Sequence, residues 1–200
     1  METGIRTTRN GRINIILHDL PEHPKQNKTT NKQFKQIDDA FSPFVGMNEI
    51  KTTIKQIYAT TLINEKRREA GLAFNQQVLH MLFQGNPGTG KTTLARKLAK
   101  LYFALGILSK GHFIEAERAD LVGEYIGQTA QKTRALIEKA KGGILFIDEA
   151  YSLARGGEKD FGKEAIDTLV KHMEDFRKDF ILILAGYPSE MRRFLSMNPG

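Results

Sequence analysis

A glycine-rich octapeptide with the spacing G-x-x-x-x-G-K-[ST] constrains the fold of this 200-residue chain more than any other feature. It occupies residues 85–92, directly after a short apolar run. Its glycines permit positive φ angles and let a phosphate approach the main chain closely. The backbone N–H groups then point inward as an anion nest, and the helix that follows presents its positive end to the same phosphates. The octapeptide therefore predicts a nucleoside triphosphate site between a strand and a helix.

The side chains of this phosphate loop (residues 85–92) predict how ATP and Mg²⁺ are bound. Lys91 can reach the β- and γ-phosphates, and the hydroxyl of Thr92 can ligate Mg²⁺. The predicted nucleotide-binding residues of the loop and the first helical turn are Asn86, Pro87, Gly88, Thr89, Gly90, Lys91, Thr92 and Thr93. A glycine-rich turn that matches the pattern by chance is the alternative, but the flanking strand and helix favour nucleotide binding.

Two adjacent carboxylates follow a second apolar run. The four apolar residues Ile144–Ile147 precede Asp148 and Glu149, as is typical of a parallel strand buried on both faces. Open α/β sheets bind ligands at the carboxyl ends of their strands. Asp148 is therefore predicted to hold the same Mg²⁺ as Thr92, and Glu149 to polarise a water for attack on the γ-phosphorus. In isolation this pair would be an ordinary solvated strand end. Beside the phosphate loop it predicts ATP hydrolysis, with Glu149 and Lys91 as catalytic residues.

Helices and strands alternate along most of the chain. Apolar residues at helical spacing predict helices over about residues 48–70, 91–105, 130–140 and 165–176. Short apolar runs predict strands over residues 79–83, 113–114, 144–147 and 180–184. Strands separated by helices of this length predict an α/β fold with a parallel, right-handed sheet.

The first 38 residues differ from the rest in composition. They are rich in Thr, Asn, Gln and Lys, with a brief apolar run from Ile13 that predicts at most a short strand. Residues 21–35 contain two prolines and few apolar side chains, which predicts a linker. We therefore expect residues 1–38 to be a flexible N-terminal extension and residues 39–200 to be the nucleotide-binding core.

Composition excludes several functional classes. Hydrophobic residues make up 40% of the chain, which suffices for a packed core and excludes wholesale disorder. The absence of cysteine excludes a disulfide framework and thiolate catalysis. No run reaches the roughly 18 apolar residues of a membrane helix, so we expect a cytoplasmic protein without a membrane partner. The net charge of +7 permits a nucleic-acid partner but is common in domains without one.

The phosphate loop, the acidic strand end and the segment Phe44-Val45-Gly46 resemble the AAA+ ATPases over about residues 40–200. Residues 124–129, 148–153, 184–187 and 198–200 are similar to the subgroup that contains red-type Rubisco activase and an ATPase of spore formation. The resemblance implies a P-loop NTPase sheet flanked by helices, the AAA+ large subdomain. It also implies that Val45 and Gly46 line the adenine pocket and that the protein assembles into a ring, a hexamer when full-length.

A protein client is a further implication of the resemblance. Tyr125, Ile126 and Gly127 would form the loop that lines the pore of the ring and grips a polypeptide, with residues 154–162 as a second pore-facing loop. The implied function is the remodelling or threading of a protein partner in spore formation. From the residues alone, Tyr125 is equally well explained as a core tyrosine at the start of a helix.

Two other functions remain as alternatives. The first is a nucleic-acid motor or clamp-loader-type ATPase. The Tyr125 loop argues against it, because a loop that grips a nucleic acid would favour Lys or Arg for phosphate contacts. We therefore do not expect a nucleic-acid partner. The second is a non-catalytic switch that binds ATP and recruits a partner without hydrolysing the nucleotide.

The sequence departs from the AAA+ pattern in two places. Tyr187 stands at or beside the position of the polar residue that senses the γ-phosphate. The chain also ends at Gly200, before the family's fifth strand, its trans-acting arginine and its helical lid. We therefore expect a truncated core without the lid, with an unpaired edge beside the phosphate-loop strand. Because a trans-acting arginine is worth about 10³ to 10⁵ in rate, hydrolysis should be weak. Arg192 and Arg193 are predicted to lie on a solvated helix face.

Overall fold

The computed structural model describes residues 6–7, 13–14, 28–42, 48–74, 77–155 and 160–197. The chain divides into two units, Met1–Gln36 and Ile37–Gly200. In the first unit, β1 (Arg6–Thr7) and β2 (Ile13–Asn14) pair in antiparallel fashion. Strand β2 covers the start of the apolar run that predicts a short strand. The division into a flexible extension and a core stays a prediction.

Helix α1 (Lys28–Phe41) corrects the linker prediction. It begins seven residues before the predicted end of the linker at residue 35, so that prediction is wrong for residues 28–35. The reason is a single apolar stripe, Phe34, Ile37 and Phe41, at spacings of three and four residues. Ile37 and Phe41 are fully buried, whereas the average composition of the segment is polar.

The second unit contains the predicted α/β fold. Its remaining elements are α2 (Asn48–Glu69), β3 (Met81–Gln84), α3 (Lys91–Ala104), β4 (Phe113–Ala116), α4 (Arg118–Leu121), α5 (Gln128–Ala140), β5 (Ile144–Ile147), a 3₁₀ helix (Ala150–Ala154), α6 (Gly162–Asp175), β6 (Ile181–Gly186) and α7 (Pro188–Met197). Strands β3 to β6 form one sheet in the order β3-β6-β5-β4, and every pairing is parallel. The predicted parallel sheet flanked by helices is thereby confirmed. Strands β3 and β6 begin one or two residues later than predicted and extend further towards their carboxyl ends.

The core is built on both faces of strand β5, whose four residues are all buried. Leu145 and Ile147 pack in one cluster with Ile137 of α5 and Leu169 of α6. Because side chains alternate along a strand, Ile144 and Phe146 face the opposite side of the sheet.

Strand β3 lies at the edge of the sheet, and β6 is its one partner among the described strands. Its residues alternate between half-buried and exposed, unlike those of β5. The expected unpaired edge beside the phosphate-loop strand is therefore present in the described part of the chain. Parallel strands also place all four carboxyl ends at one side of the sheet, where the predicted site residues follow β3, β5 and β6.

Candidate active site

The phosphate loop connects β3 to α3 and has the geometry that its glycines predict. Gly88 and Gly90 have φ angles of 73° and 82°. Residues other than glycine rarely adopt positive φ angles of this size. A Cβ atom at either position would meet no atom within 4 Å, so backbone conformation rather than space requires glycine there. The Thr89 hydroxyl donates to the Asn86 carbonyl at 2.8 Å and braces the loop.

Lys91 is held across its own loop. Its Nζ donates to the carbonyl oxygen of Gly85 at 2.9 Å and to that of Asn86 at 3.1 Å. Helix α3 starts from Gly90 without a side-chain cap, so the first N–H groups of this 14-residue helix are free of a capping acceptor. The ammonium group and the helix N-terminus therefore converge on one point, which suits a phosphate.

One cavity of about 450 Å³ brings the predicted residues together. Its lining contains Pro87, Gly88, Gly90, Lys91, Thr92, Thr93, Asp148, Glu149, Gly186 and Tyr187. The loop and the acid pair thus meet although more than fifty residues separate them in the sequence. Asn86 and Thr89 belong to the loop but bond to each other rather than line this cavity.

The acid pair begins directly where β5 ends. The Asp148 N–H donates to the Ala116 carbonyl of β4 at 3.0 Å, and Asp148 Oδ1 accepts from the Glu149 N–H at 2.9 Å. Among the described residues, Glu149 is the one non-glycine residue with a positive φ, 44°. Such backbone strain is concentrated at functional sites. Here it turns the exposed Glu149 carboxylate out of the strand direction and into the cavity.

Tyr187 lies beside the phosphate loop because β6 pairs with β3. Gly186 is in register with Gln84, and the Gly85 N–H donates to the Gly186 carbonyl at 3.2 Å. The Lys91 Nζ is 5.5 Å from the centroid of the Tyr187 ring, within the range of a cation–π contact. The structure therefore places Tyr187 at the predicted nucleotide site.

Tyr151, in the 3₁₀ helix after the acid pair, lies beside the site although no motif predicts it there. Its ring centroid is 5.8 Å from that of Tyr187. Burial, together with the charge of the nearby Glu149 carboxylate, raises the pKa of Tyr151 to about 12. The signal that could have found it is its position, two residues after the predicted general base.

The predicted pore loop is exposed. Tyr125 is 68% and Ile126 is 89% accessible, and Gly127, with a φ of 81°, caps the N-terminus of α5. The alternative of a core tyrosine is therefore wrong. Glu124, next to Tyr125, lines a second cavity of about 650 Å³ that also contains Asp148 and Glu149. This places the base of the loop beside the acid pair.

Other predicted residues lie outside the described part of the chain or away from the cavity. Val45 and Gly46 lie outside the described residues, as do residues 156–159 of the predicted second loop. Arg192 and Arg193 are exposed on α7, in agreement with a solvated helix face.

The described residues fit a Mg²⁺ ion that is shared with a nucleotide. They contain no group of three or more His, Cys, Asp or Glu side chains able to hold a metal by themselves. Protein sites for Mg²⁺ with ATP supply one or two carboxylates, and phosphates and waters complete the coordination. Asp148 and Thr92, which line the same cavity, match that donor set.

The parallel sheet, the phosphate loop and the acid pair define a P-loop NTPase. Residues 81–194 match the family described as ATPase family associated with various cellular activities (AAA), and the chain belongs to this family. It is 59% identical to stage V sporulation protein K of Bacillus subtilis (strain 168), over all of this chain and 66% of that protein.

Two further relatives are 45% and 48% identical to the chain. The chain is 45% identical to the chloroplastic ribulose bisphosphate carboxylase/oxygenase activase of Cyanidioschyzon merolae (strain NIES-3377 / 10D), over 88% of this chain and 62% of the relative. It is 48% identical to protein CbbX of Cereibacter sphaeroides, over 78% and 51%. The chain thus spans between half and two thirds of the length of these relatives. In the described part of the chain, no helix is both long and apolar enough to cross a membrane.

Proposed function

We propose that this protein is a Mg²⁺-dependent ATPase that remodels or threads a protein partner in the cytoplasm, as a ring-shaped hexamer. The observation that carries the proposal is the single cavity where the phosphate loop, Asp148, Glu149 and Tyr187 meet. Membership of the AAA family supports the ATPase activity. The name of the sporulation relative supports a role in spore formation.

Binding of ATP would use the loop as it stands. Lys91 would exchange its bonds to the Gly85 and Asn86 carbonyls for bonds to the β- and γ-phosphates. The free N–H groups at the start of α3 would donate to the same phosphates. Tyr187, in contact with Lys91, would lie beside the γ-phosphate. Val45 and Gly46 are proposed for the adenine on the family resemblance.

The hydrolytic step assigns separate tasks to the two carboxylates. Asp148 and Thr92 would hold Mg²⁺, which when bound neutralises charge on the phosphate oxygens. Glu149 would accept a hydrogen bond from the attacking water and draw its proton away as the water approaches the γ-phosphorus. Its exposed carboxylate and strained backbone suit a side chain that faces the cavity rather than the core.

The exposed loop of Tyr125, Ile126 and Gly127 supports a polypeptide as the client. An exposed aromatic and an exposed aliphatic side chain suit contact with a protein chain, and neither offers a charge to a nucleic-acid phosphate. Asp148 and Glu149 line a cavity together with Glu124, the residue next to Tyr125. A movement of the acid pair on nucleotide binding or hydrolysis would therefore occur close to the base of the loop. This proximity supports coupling of ATP turnover to movement of the loop.

The Glu149→Gln variant tests the proposal through steady-state ATP hydrolysis and ATP binding. We expect unchanged ATP affinity and a reduction of kcat by a factor of at least about 100, because the amide cannot act as a general base. Glu174→Gln, an exposed carboxylate on α6 that lines neither of the two cavities, is the matched control and should keep wild-type kcat. An unchanged kcat in Glu149→Gln would rule out Glu149 as the base, whereas ATP binding by the wild type without measurable turnover would favour the non-catalytic switch.

Oligomeric state and client binding are measured on the same variant. With ATP, Glu149→Gln is expected to form a ring that retains a polypeptide through Tyr125, and Tyr125→Ala should release it. DNA binding that weakens steeply with salt and persists in Tyr125→Ala would instead favour the nucleic-acid motor.

A further inference from the structure

The turn that follows the acid pair is held by a side chain from another helix. The Nη1 atom of Arg118, in α4, donates to the Ser152 carbonyl at 2.6 Å, and its Nη2 atom donates to Asp160 Oδ1 at 2.5 Å. The side chains of Arg118 and Asp160 are partly buried, with 32% and 15% of their surface exposed. Hydrogen bonds of a charged group are strong, and more so where water is partly excluded. One guanidinium group thus bridges the 3₁₀ helix and the start of α6.

A close backbone contact braces the same turn from the side of α6. A Cβ atom on Gly162, the first residue of α6, would overlap the Leu153 carbonyl oxygen and lie 2.9 Å from Arg118 Nη1. Glycine is therefore the residue that lets α6 approach the 3₁₀ helix this closely. The Gly162 N–H also donates to Asp160 Oδ1 at 2.8 Å, so Asp160 is itself fixed where it receives the guanidinium.

Glu149 needs such support because its backbone is strained. A non-glycine residue with a φ of 44° keeps that conformation only where the surrounding structure enforces it. The Ser152 N–H donates to the Glu149 carbonyl at 2.7 Å, and the carbonyl of the same Ser152 accepts from Arg118. Ser152 therefore connects the strained residue to the guanidinium. The neighbouring Asp148 is held differently, by its own N–H bond to the Ala116 carbonyl of β4.

We propose that Arg118 is a positioning residue that keeps the strained Glu149 backbone in place for ATP hydrolysis by bracing the 3₁₀ helix against α6. The inference rests on the proposed role of Glu149 as general base. Arg118 lines a cavity with Asp148, Glu149 and Ser152 but does not line the cavity of the phosphate loop. It therefore acts on the chemical step rather than on nucleotide binding. A general base that leaves its position loses rate even though the phosphate contacts remain.

The Arg118→Met variant removes the guanidinium and keeps an unbranched side chain. We expect kcat for ATP hydrolysis to fall about tenfold, the scale of one lost hydrogen bond to a charged group. KM and the affinity for a fluorescent ATP analogue should stay within twofold of wild type. Expressing kcat per analogue-binding site leaves unfolded protein out of the comparison, so a residue that only stabilised the fold would not lower it. Arg192→Met, which changes an exposed arginine on α7 that lines neither cavity, is the matched control and should keep wild-type kcat.

The Arg118→Lys variant tests the same bridge if Arg118→Met does not fold. Lysine keeps the positive charge but lacks the planar fork that reaches the Ser152 carbonyl and Asp160 together. Its kcat should also fall at unchanged KM, by a smaller factor than in Arg118→Met. Wild-type kcat in either folded variant would overturn the proposal, because the bridge would then be dispensable. A loss of analogue affinity as large as the loss of kcat would overturn it as well, because Arg118 would then act on nucleotide binding.

The double variant of Arg118→Met and Glu149→Gln distinguishes this inference from the proposed function. Released radiolabelled phosphate measures its residual rate, which should equal that of Glu149→Gln alone, since Arg118 acts through Glu149. An unchanged kcat in Glu149→Gln would refute the general base itself. A reduced kcat there, combined with wild-type kcat in Arg118→Met, would refute the role of Arg118 alone. A further loss in the double variant would show that Arg118 acts independently of Glu149 and would also refute its role.

Discussion

One polar group is buried in the apolar core around helix α3. Tyr102, fully buried in α3, has a hydroxyl without a hydrogen-bond partner in the part of the chain that is described. Burial raises the pKa of the Tyr102 hydroxyl well above its usual value. A buried polar group without a partner loses its bonds to water and gains none in return, so this hydroxyl destabilises the fold.

The Tyr102→Phe variant should therefore be more stable than wild type. Removing an unsatisfied hydroxyl while keeping the ring is expected to raise the free energy of unfolding by about 1 kcal/mol. Urea denaturation measures this as a higher midpoint at an unchanged slope. Tyr125→Phe, at an exposed position, should leave the midpoint where it is. A lower midpoint in Tyr102→Phe would show that the hydroxyl has a partner.

Side-chain hydrogen bonds, in addition to the backbone hydrogen bonds of the sheet, connect neighbouring elements. Arg118 of α4 donates to the Ser152 carbonyl at 2.6 Å and to Asp160 at 2.5 Å, and so joins α4 to the 3₁₀ helix and the start of α6. His80 precedes β3 and accepts from the Leu182 N–H of β6 at 3.0 Å through Nδ1. Its Nε2 lies 3.2 Å from the Met173 carbonyl of α6. These two bonds require a neutral imidazole with its proton on Nε2.

Stability should depend on pH through His80. Burial lowers the pKa of His80 below the ordinary histidine value of 6.5, and the hydrogen bond to the Met173 carbonyl opposes this effect. The unfolded imidazole therefore takes up a proton at a higher pH than the folded one. The contribution of His80 to stability is complete above pH 6.5 and is lost as the pH falls through the folded-state pKa.

Urea midpoints between pH 7.5 and pH 5 measure this dependence. The wild type should lose stability over that range, and His80→Gln should lose less because it has no proton to gain there. His112→Gln is the matched control, and its urea midpoint should change with pH as that of the wild type does. An equal change of the midpoint with pH in the wild type and in His80→Gln would contradict the prediction.

Periodicity and motifs predicted the elements and the centre of the site, but not the contacts between distant residues. The observed bounds of strand β5 and of helices α2, α3 and α5 agree closely with those predicted from apolar spacing. Each of these helices buries a regular stripe of apolar residues, and β5 is buried on both faces. Helix α1 was missed since three apolar residues were diluted in a polar segment. At the site, the phosphate loop and acid pair are contiguous motifs. Pairs such as Arg118 and Asp160, 42 residues apart, leave no pattern along the sequence.

At the scale of the whole molecule, ATP binding should raise global stability. The phosphate loop, the acid pair after β5 and Gly186 at the end of β6 all line one cavity, so unfolding of the sheet would abolish the site. A ligand that binds only the folded state stabilises it by about 2.7 kcal/mol at 100 times its dissociation constant. We expect ATP with Mg²⁺ to raise the thermal midpoint of the wild type, and Lys91→Ala to lose most of this increase.

Lys100→Ala, which changes an exposed lysine later in the same helix, is the matched control and should respond like wild type. An equal increase in Lys91→Ala would show that ATP stabilises the fold from somewhere other than the phosphate loop.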